Sequence, residues 1–552
     1  MPLNSKLLPL AGLLSLAAIA AAPAVVHAAP ATTQAAAQTV TVEGELEVFV
    51  EDYRDGRTRT RHYIKTSQGR YALRFDKRPT DLPSGTKVRV QGRKVYSEMT
   101  LDGAQVVEGT APAVLPYAMG EQKVAVILVN FSDDTSQPVT PAAVNTLLFD
   151  TIDNFYQENS FGQTWMNGQV FGYYTIDQSK TVCDATALSA KANAAAAAAG
   201  VDLSAYPRKV YMFPKVASCG WMGFGQVGGQ TTSAWINGDF SQIVTAHELG
   251  HNLGLRHAHA KNCDVAPLGN TCTNIDYGDA ADTMGNIKPG HFNAFEKERL
   301  GWLNDGISPP ITTVTTSGRY AIQPYSSSSV GPKALKIAKG LDANGWPAYY
   351  YVEFRQPIGA DSVLTTGNLT KGVTVRMGSP KDNNSSYQLD MTPGSSTTTQ
   401  IELADGALAV GRTYTDATSG VSITLVSADP NGALVDVTVG TATPPPTTPP
   451  PGGTLTESLG LDKASYVRGD SVFMSALVKK DGVALGGASV AFVVTLPNAA
   501  KTTINATSGT DGYARATYRV AKGKSALGGY GVAADATSNG STATANASFS
   551  VK

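Results

Sequence analysis

Seven histidines occur in 552 residues, and four of them fall between positions 247 and 259. Three have a spacing that chemistry can use: His247, His251 and His257 stand in HELGHNLGLRH, with Glu248 beside the first. On a helix, positions i and i+4 lie one turn apart on the same face, so His247 and His251 can reach one ion together. Gly254 permits a sharp turn, after which His257 returns as a third nitrogen ligand. Three imidazoles leave one position open for water, the arrangement that a catalytic zinc requires. Glu248 is rotated off the ligand direction and addresses that water. Zinc would bring the water's pKa toward about 7, with Glu248 taking its proton and handing it to a leaving amine. The plain alternative is an amphipathic helix with surface histidines, but five specified residues at this spacing arise by chance with odds on the order of one in 10⁵ across the chain. His259 falls outside the spacing and reads as an outer or surface residue, not a ligand.

The same motif, followed 27 residues after His257 by a methionine in DTMGN (Met284), resembles the metzincin metallopeptidases, in which such a methionine packs beneath the metal. Within that group the chain is similar to the gametolysin-type peptidases, on NFYQENSFGQ (154–163), GQVFGYY (168–174), CGWMGFGQVGG (219–229), HELGHNLGL and YGDAADTMG (277–285). The likeness runs over about residues 120–440. It implies a zinc endopeptidase with one catalytic ion, acting on protein or peptide substrates, cell-wall or matrix proteins among them. It transfers no particular cleavage specificity. Position 286 is Asn, so the tyrosine that some metzincins place two residues after the methionine is missing. No cysteine lies between the leader and residue 182, which excludes latency through a thiolate on zinc.

Length alone calls for several domains around these residues. Lys6, a long apolar run and Val26-His27-Ala28 predict a secretory signal over 1–28 and an extracellular protein without a membrane anchor once it is cleaved; an uncleaved anchor is the alternative. Export makes two disulfides the default for four cysteines. The short interval favours Cys263 with Cys272, leaving Cys183 with Cys219; a zinc–cysteine site is the weaker use, since no C-x-x-C pair is present.

Alternating runs over 39–112 predict a small β domain, OB-like, as either a removable pro-segment or a permanent module. Its Arg54–Arg61 cluster reads as a solvated face because acidic residues are interleaved. Strand and helix signals alternate over 115–304, predicting an α/β, metzincin-like catalytic domain. Within it TSAWING (232–238) is a candidate edge strand for an extended substrate, or a purely structural edge strand. Residues 305–440 read as all-β, 441–453 as a Pro/Thr linker, and 454–552 as an immunoglobulin-like sandwich. The expected fold class is therefore multidomain: an α/β core flanked by all-β domains.

A net charge of −1 gives no electrostatic reason for a nucleic-acid partner. The scattered Asp residues form no recognisable calcium loop, and nothing in the sequence sets an oligomeric state. Two rivals stand beside the peptidase: a secreted adhesin or binding protein with a structural zinc site, and a zinc hydrolase of a non-peptide bond.

Overall fold

Why does VFV at 48–50 break the in–out alternation of the first strand? In the computed structural model, β1 (Gln38–Tyr53) serves two cores at once. Leu46, Val48 and Val50 point into a barrel, whereas Phe49 points out of it and stacks on Phe224, 5.2 Å away between ring centres. The barrel is made by β1, β2 (Thr58–Thr66), β3 (Gly69–Phe75), β4 (Lys87–Val95) and β5 (Glu98–Thr110), and β1 closes it by pairing with both β2 and β4. The structure describes residues 38–75, 82–95, 97–110, 116–263, 265–269, 271–285, 290–304, 308–395, 403–440, 455–480, 483–509, 512–538 and 541–552. The expected leader (1–28) and Pro/Thr linker (441–453) lie outside them, as does Asn286.

The barrel does not stand apart. Strand β1 continues the sheet into β9 (Trp221–Gln226), then β10 (Thr232–Asn237), β8 (Arg208–Phe213), β6 (Gly120–Phe131) and β7 (Thr164–Ile176), giving a single sheet of ten strands. The order explains the composition of β6, which is parallel to both neighbours and covered on both faces. Val124, Val126 and Leu128 meet the helices α1 (Pro141–Thr146), α2 (Asp153–Asn159) and α4 (Gln242–Asn252), while Ile127, Val129 and Phe131 face the side of α3 (Ala185–Ala198).

The expected α/β class is corrected here. Among the described residues strand makes up 48% and helix 15%, and no distinct α/β metzincin core separates from the β structure. Parallel strands with intervening helices are present, but the helices are short, α3 being 14 residues. The physical reason is that the sheets cross the boundaries read from composition. Strands His259–Asn262 and Thr273–Ile275 belong to a second sheet with Asp382–Leu389, Gly372–Ser379, Pro347–Glu353, Ala334–Leu341 and Ile311–Val314. A four-stranded sheet within 318–438 shares its core. Residues 455–552 form two more sheets, of four and five strands, around one apolar core that includes Val472, Phe492 and Val532. Among the described residues, no helix is long and apolar enough to cross a membrane.

TSAWING is likewise corrected as an edge. Strand β10 is hydrogen-bonded to β8 on one side and β9 on the other, so it offers no free backbone to a substrate.

A buried ionic network fastens the methionine turn to the second sheet. Arg376, fully buried, forks onto both oxygens of Asp279, with Nη2–Oδ1 at 2.9 Å, and also donates to Glu353 at 2.9 Å. Arg355 bridges Glu353 at 2.8 Å and Asp361 at 3.0 Å. Removing one member of such a network leaves a buried charge uncompensated. Arg376→Met is therefore expected to lower stability by about 3 kcal/mol or more, read as a shift in the denaturant midpoint; a loss under about 1 kcal/mol would show that the network does not hold the turn.

Candidate metal centre

The HELGH segment is helical because its neighbours make it so. The Ser241 side chain caps α4 by accepting from the Val244 amide, and Tyr156 of α2 donates its hydroxyl to the Ala246 carbonyl at 2.7 Å inside the core. Arg208 of β8, buried, donates to the Asn252 carbonyl at 3.1 Å, placing a cation at the negative end of the helix dipole. The helix then stops at Gly254, whose φ of +106° suits glycine and reverses the chain toward His257. The loop beyond His257 is closed by the Cys263–Cys272 disulfide; Cys183 is bonded to Cys219.

Two backbone carbonyls fix the imidazoles. His247 Nδ1 lies 2.9 Å from the Thr283 carbonyl oxygen and His251 Nδ1 lies 2.9 Å from that of Leu255. A carbonyl only accepts, so each Nδ1 carries the proton and each Nε2 presents a lone pair. Thr283 belongs to the DTMG turn. Met284, fully buried, packs against α4 where Gly250 has no side chain; a Cβ there would come within 2.5 Å of the methionine sulfur.

The three imidazoles converge, and a fourth group meets them. One donor atom from each of His247, His251, His257 and Asp52 lies within 4.8 Å of the others, and all four residues are buried. Asp52 comes from β1, in the barrel. Its Oδ2 is 3.2 Å from His251 Nε2 and 3.6 Å from His247 Nε2, and its Oδ1 is 2.9 Å from His257 Nε2. For His247 and His251 these are lone pairs facing a carboxylate, an arrangement that repels unless a cation lies between. Protons do not serve well, because burial drives His247 down to about 4 and His257 down to about 3. Neutral imidazole nitrogens and a carboxylate oxygen are the donor set that suits zinc. The residues present fit a metal ion.

Glu248 stands next to this group but outside it. Strand β9 makes room for it with glycine: a Cβ at Gly223 would fall 1.7 Å from Glu248 Oε1, and one at Gly225 would fall 2.6 Å from Oε2. Burial, then the charge of Asp52, push the Glu248 carboxyl well above the usual carboxylate range. Tyr277 completes the surroundings. Its ring is 4.1 Å from that of His257, and its hydroxyl donates to Asp52 Oδ1 at 2.5 Å.

The positions read from sequence thus fall together: His247, His251, His257 and Glu248 share one site, with Met284 against the helix that carries them. His259 is buried but turned away, with Nδ1 3.1 Å from Asp276 and its ring stacked on Tyr387. Sequence reasoning missed Asp52 and Tyr277. The second was within reach, lying in the quoted YGDAADTMG; Asp52, 199 positions from His251, carried no local signal. The Arg54–Arg61 cluster is paired with carboxylates, Arg54 with Asp239 at 2.9 Å and Arg61 with Glu51 at 2.6 Å.

Residues 123–380 match the family model described as gametolysin peptidase M11. The chain carries a gametolysin-family peptidase domain. The family is one of metallopeptidases, and its matched region contains all three histidines of the centre. No curated protein matches the chain. Among solved structures, it is similar to the sporulation control protein Spo0M of Bacillus subtilis at 14% identity and a TM-score of 0.13, over 18% of this chain and 50% of that one. It is similar to the CARDB domain of a Pyrococcus furiosus protein in complex with di-metal ions at 17% identity and 0.14, over 19% and 97%. A tetra-tandem repeat from the extending region of a large adhesion protein matches at 14% and 0.16, over 40% and 49%. Likenesses this slight carry no argument about the centre, and this chain spans half of the sporulation protein.

The geometry predicts one tightly held zinc per chain after dialysis against metal-free buffer, measured by atomic absorption. His251→Ala is expected to lose it and His259→Ala to keep it; equal loss from both would show that the centre is not where the imidazoles converge.

Proposed function

We propose that the chain is a secreted zinc endopeptidase of metzincin type, with His247, His251 and His257 holding the ion and Glu248 as general base. The observation that carries this reading is Glu248 itself. It is a buried carboxyl whose Oε2 has no hydrogen-bond partner among the described residues, beside a group of metal-type donors. When bound there, zinc supplies Lewis acidity to water and to the carbonyl of the scissile bond. Glu248 takes the proton from the water and delivers it to the departing amine nitrogen, a task suited to a carboxyl whose pKa is raised. Met284 and the Thr283 carbonyl hold the ligand helix and the His247 ring in place, and the glycines of β9 let the backbone of an extended peptide lie close to the carboxyl. Secretion is supported by the leader-like stretch 1–28 and by the two disulfides. Substrates are proteins or peptides, with extracellular proteins of cell wall or matrix the class the family likeness suggests.

One observation favours a second reading, a structural zinc in a binding protein. Asp52 brings the protein ligands to four, the number a closed structural site has. Glu248 separates the two readings, since a structural site has no use for it.

Glu248→Ala is expected to retain one zinc while peptide hydrolysis falls by about a hundredfold or more. The comparison is made on the active form, with metal content measured on the same sample. Undiminished turnover at full metal content would remove the mechanism.

A further inference from the structure

We propose that Asp52 is a fourth ligand of the metal and that strand β1 keeps the peptidase shut by filling the edge of the sheet that a substrate would use. The inference rests on the metallopeptidase reading and extends it to regulation.

The first support is the place of Asp52. Its carboxylate contacts all three imidazoles from the side that a water or a scissile carbonyl must occupy, since the fourth position of a three-histidine site is the reactive one. The Tyr277 hydroxyl, whose ring lies against that of His257, is spent on the same carboxylate. With Asp52 seated, four protein donors face the centre, the number that a closed zinc site would have.

The second support is the register. Strand β9 runs antiparallel to β10, and its other side is taken by β1, also antiparallel: Phe49 opposite Gln226, Val50 opposite Gly225, Glu51 opposite Phe224 and Asp52 opposite Gly223. An extended peptide that adds to this sheet beside Glu248 needs those backbone groups of β9. The residues opposite Val50 and Asp52 are the two glycines that shelter Glu248. Strand β1 therefore lies where a substrate backbone would lie, and it presents a carboxylate instead of a scissile peptide bond.

The third support is the docking of the barrel as a whole. Phe49 enters the aromatic cluster of Phe224 and Trp235, Arg54 pairs with Asp239 at 2.9 Å, Arg256 donates to Thr60 at 3.1 Å, and the Val227 amide donates to the Val48 carbonyl at 2.8 Å. These contacts lie on both sides of Asp52, so the carboxylate is delivered by a fitted surface. The lock does without cysteine; a carboxylate takes the position.

The test uses the full chain loaded with cobalt(II), whose visible spectrum reports its ligands, together with a quenched peptide. Asp52→Ala and the nearly isosteric Asp52→Asn are each expected to change the cobalt spectrum and to speed metal loss to a chelator by about tenfold or more. A protease site engineered between Thr110 and Pro116 allows the barrel to be cut away; cutting and dilution are expected to raise peptide hydrolysis by about a hundredfold or more over the uncut chain. An unchanged spectrum and release rate in both variants would overturn ligation by Asp52. Uncut chain as fast as cut chain would overturn the lock. If the Asp52 variants alter the spectrum while the cut, metal-loaded chain hydrolyses no peptide, ligation stands and the lock falls with the peptidase reading.

Discussion

Lone pairs aimed at one another are the constraint on which this structure turns. The Thr283 and Leu255 carbonyls fix the protons of His247 and His251 on Nδ1, leaving Nε2 of each toward the Asp52 carboxylate in a buried space. Such a group is stable only around a positive charge, and everything nearby serves to hold it. Tyr156 and Arg208 fix the helix, Gly254 turns the chain, and the Arg376–Asp279 fork secures the segment that ends in Thr283 and Met284. Precision at the centre is thus bought with long-range burial, not with the eleven residues of the motif.

Those eleven residues were nonetheless legible. A helix with i, i+4 histidines, a glycine turn and a returning histidine follows from spacing and backbone chemistry, and the two cysteine pairs follow from interval and count. Asp52 was hidden because its meaning depends on a contact with His251 across 199 positions, made by strand pairing that no local pattern encodes. The fold class failed for a related reason. Alternating helix and strand signals in 115–304 were real, but sheet membership is settled by which edges meet, and here the barrel before the segment and the strands after it both join its sheets. TSAWING was placed at an edge for want of the same knowledge: β9 follows the same kind of apolar pattern and lies outside it.

The four-ligand arrangement also reconciles two chemistries that otherwise compete. A closed site with four protein ligands is inert, and a three-histidine site with an open position is reactive. On the proposed reading both descriptions apply to one chain, before and after the barrel leaves. The position of Glu248 is consistent with this, since it lies beside the centre and contributes nothing to closing it.

Strand β1 is hydrogen-bonded on both sides where it matters: residues 49 to 52 pair with β2 and with β9 at once. It cannot fray away from β9 without opening its own barrel, so release is an event of the whole module. While the chain from Thr110 to Pro116 is intact, that module faces its dock at the high effective concentration of a tethered partner and recaptures the site after each excursion. Once the tether is cut, the same contacts become a bimolecular complex governed by dilution. The outcome would then depend on dilution: held inactive where the two parts stay concentrated, and freed where they disperse.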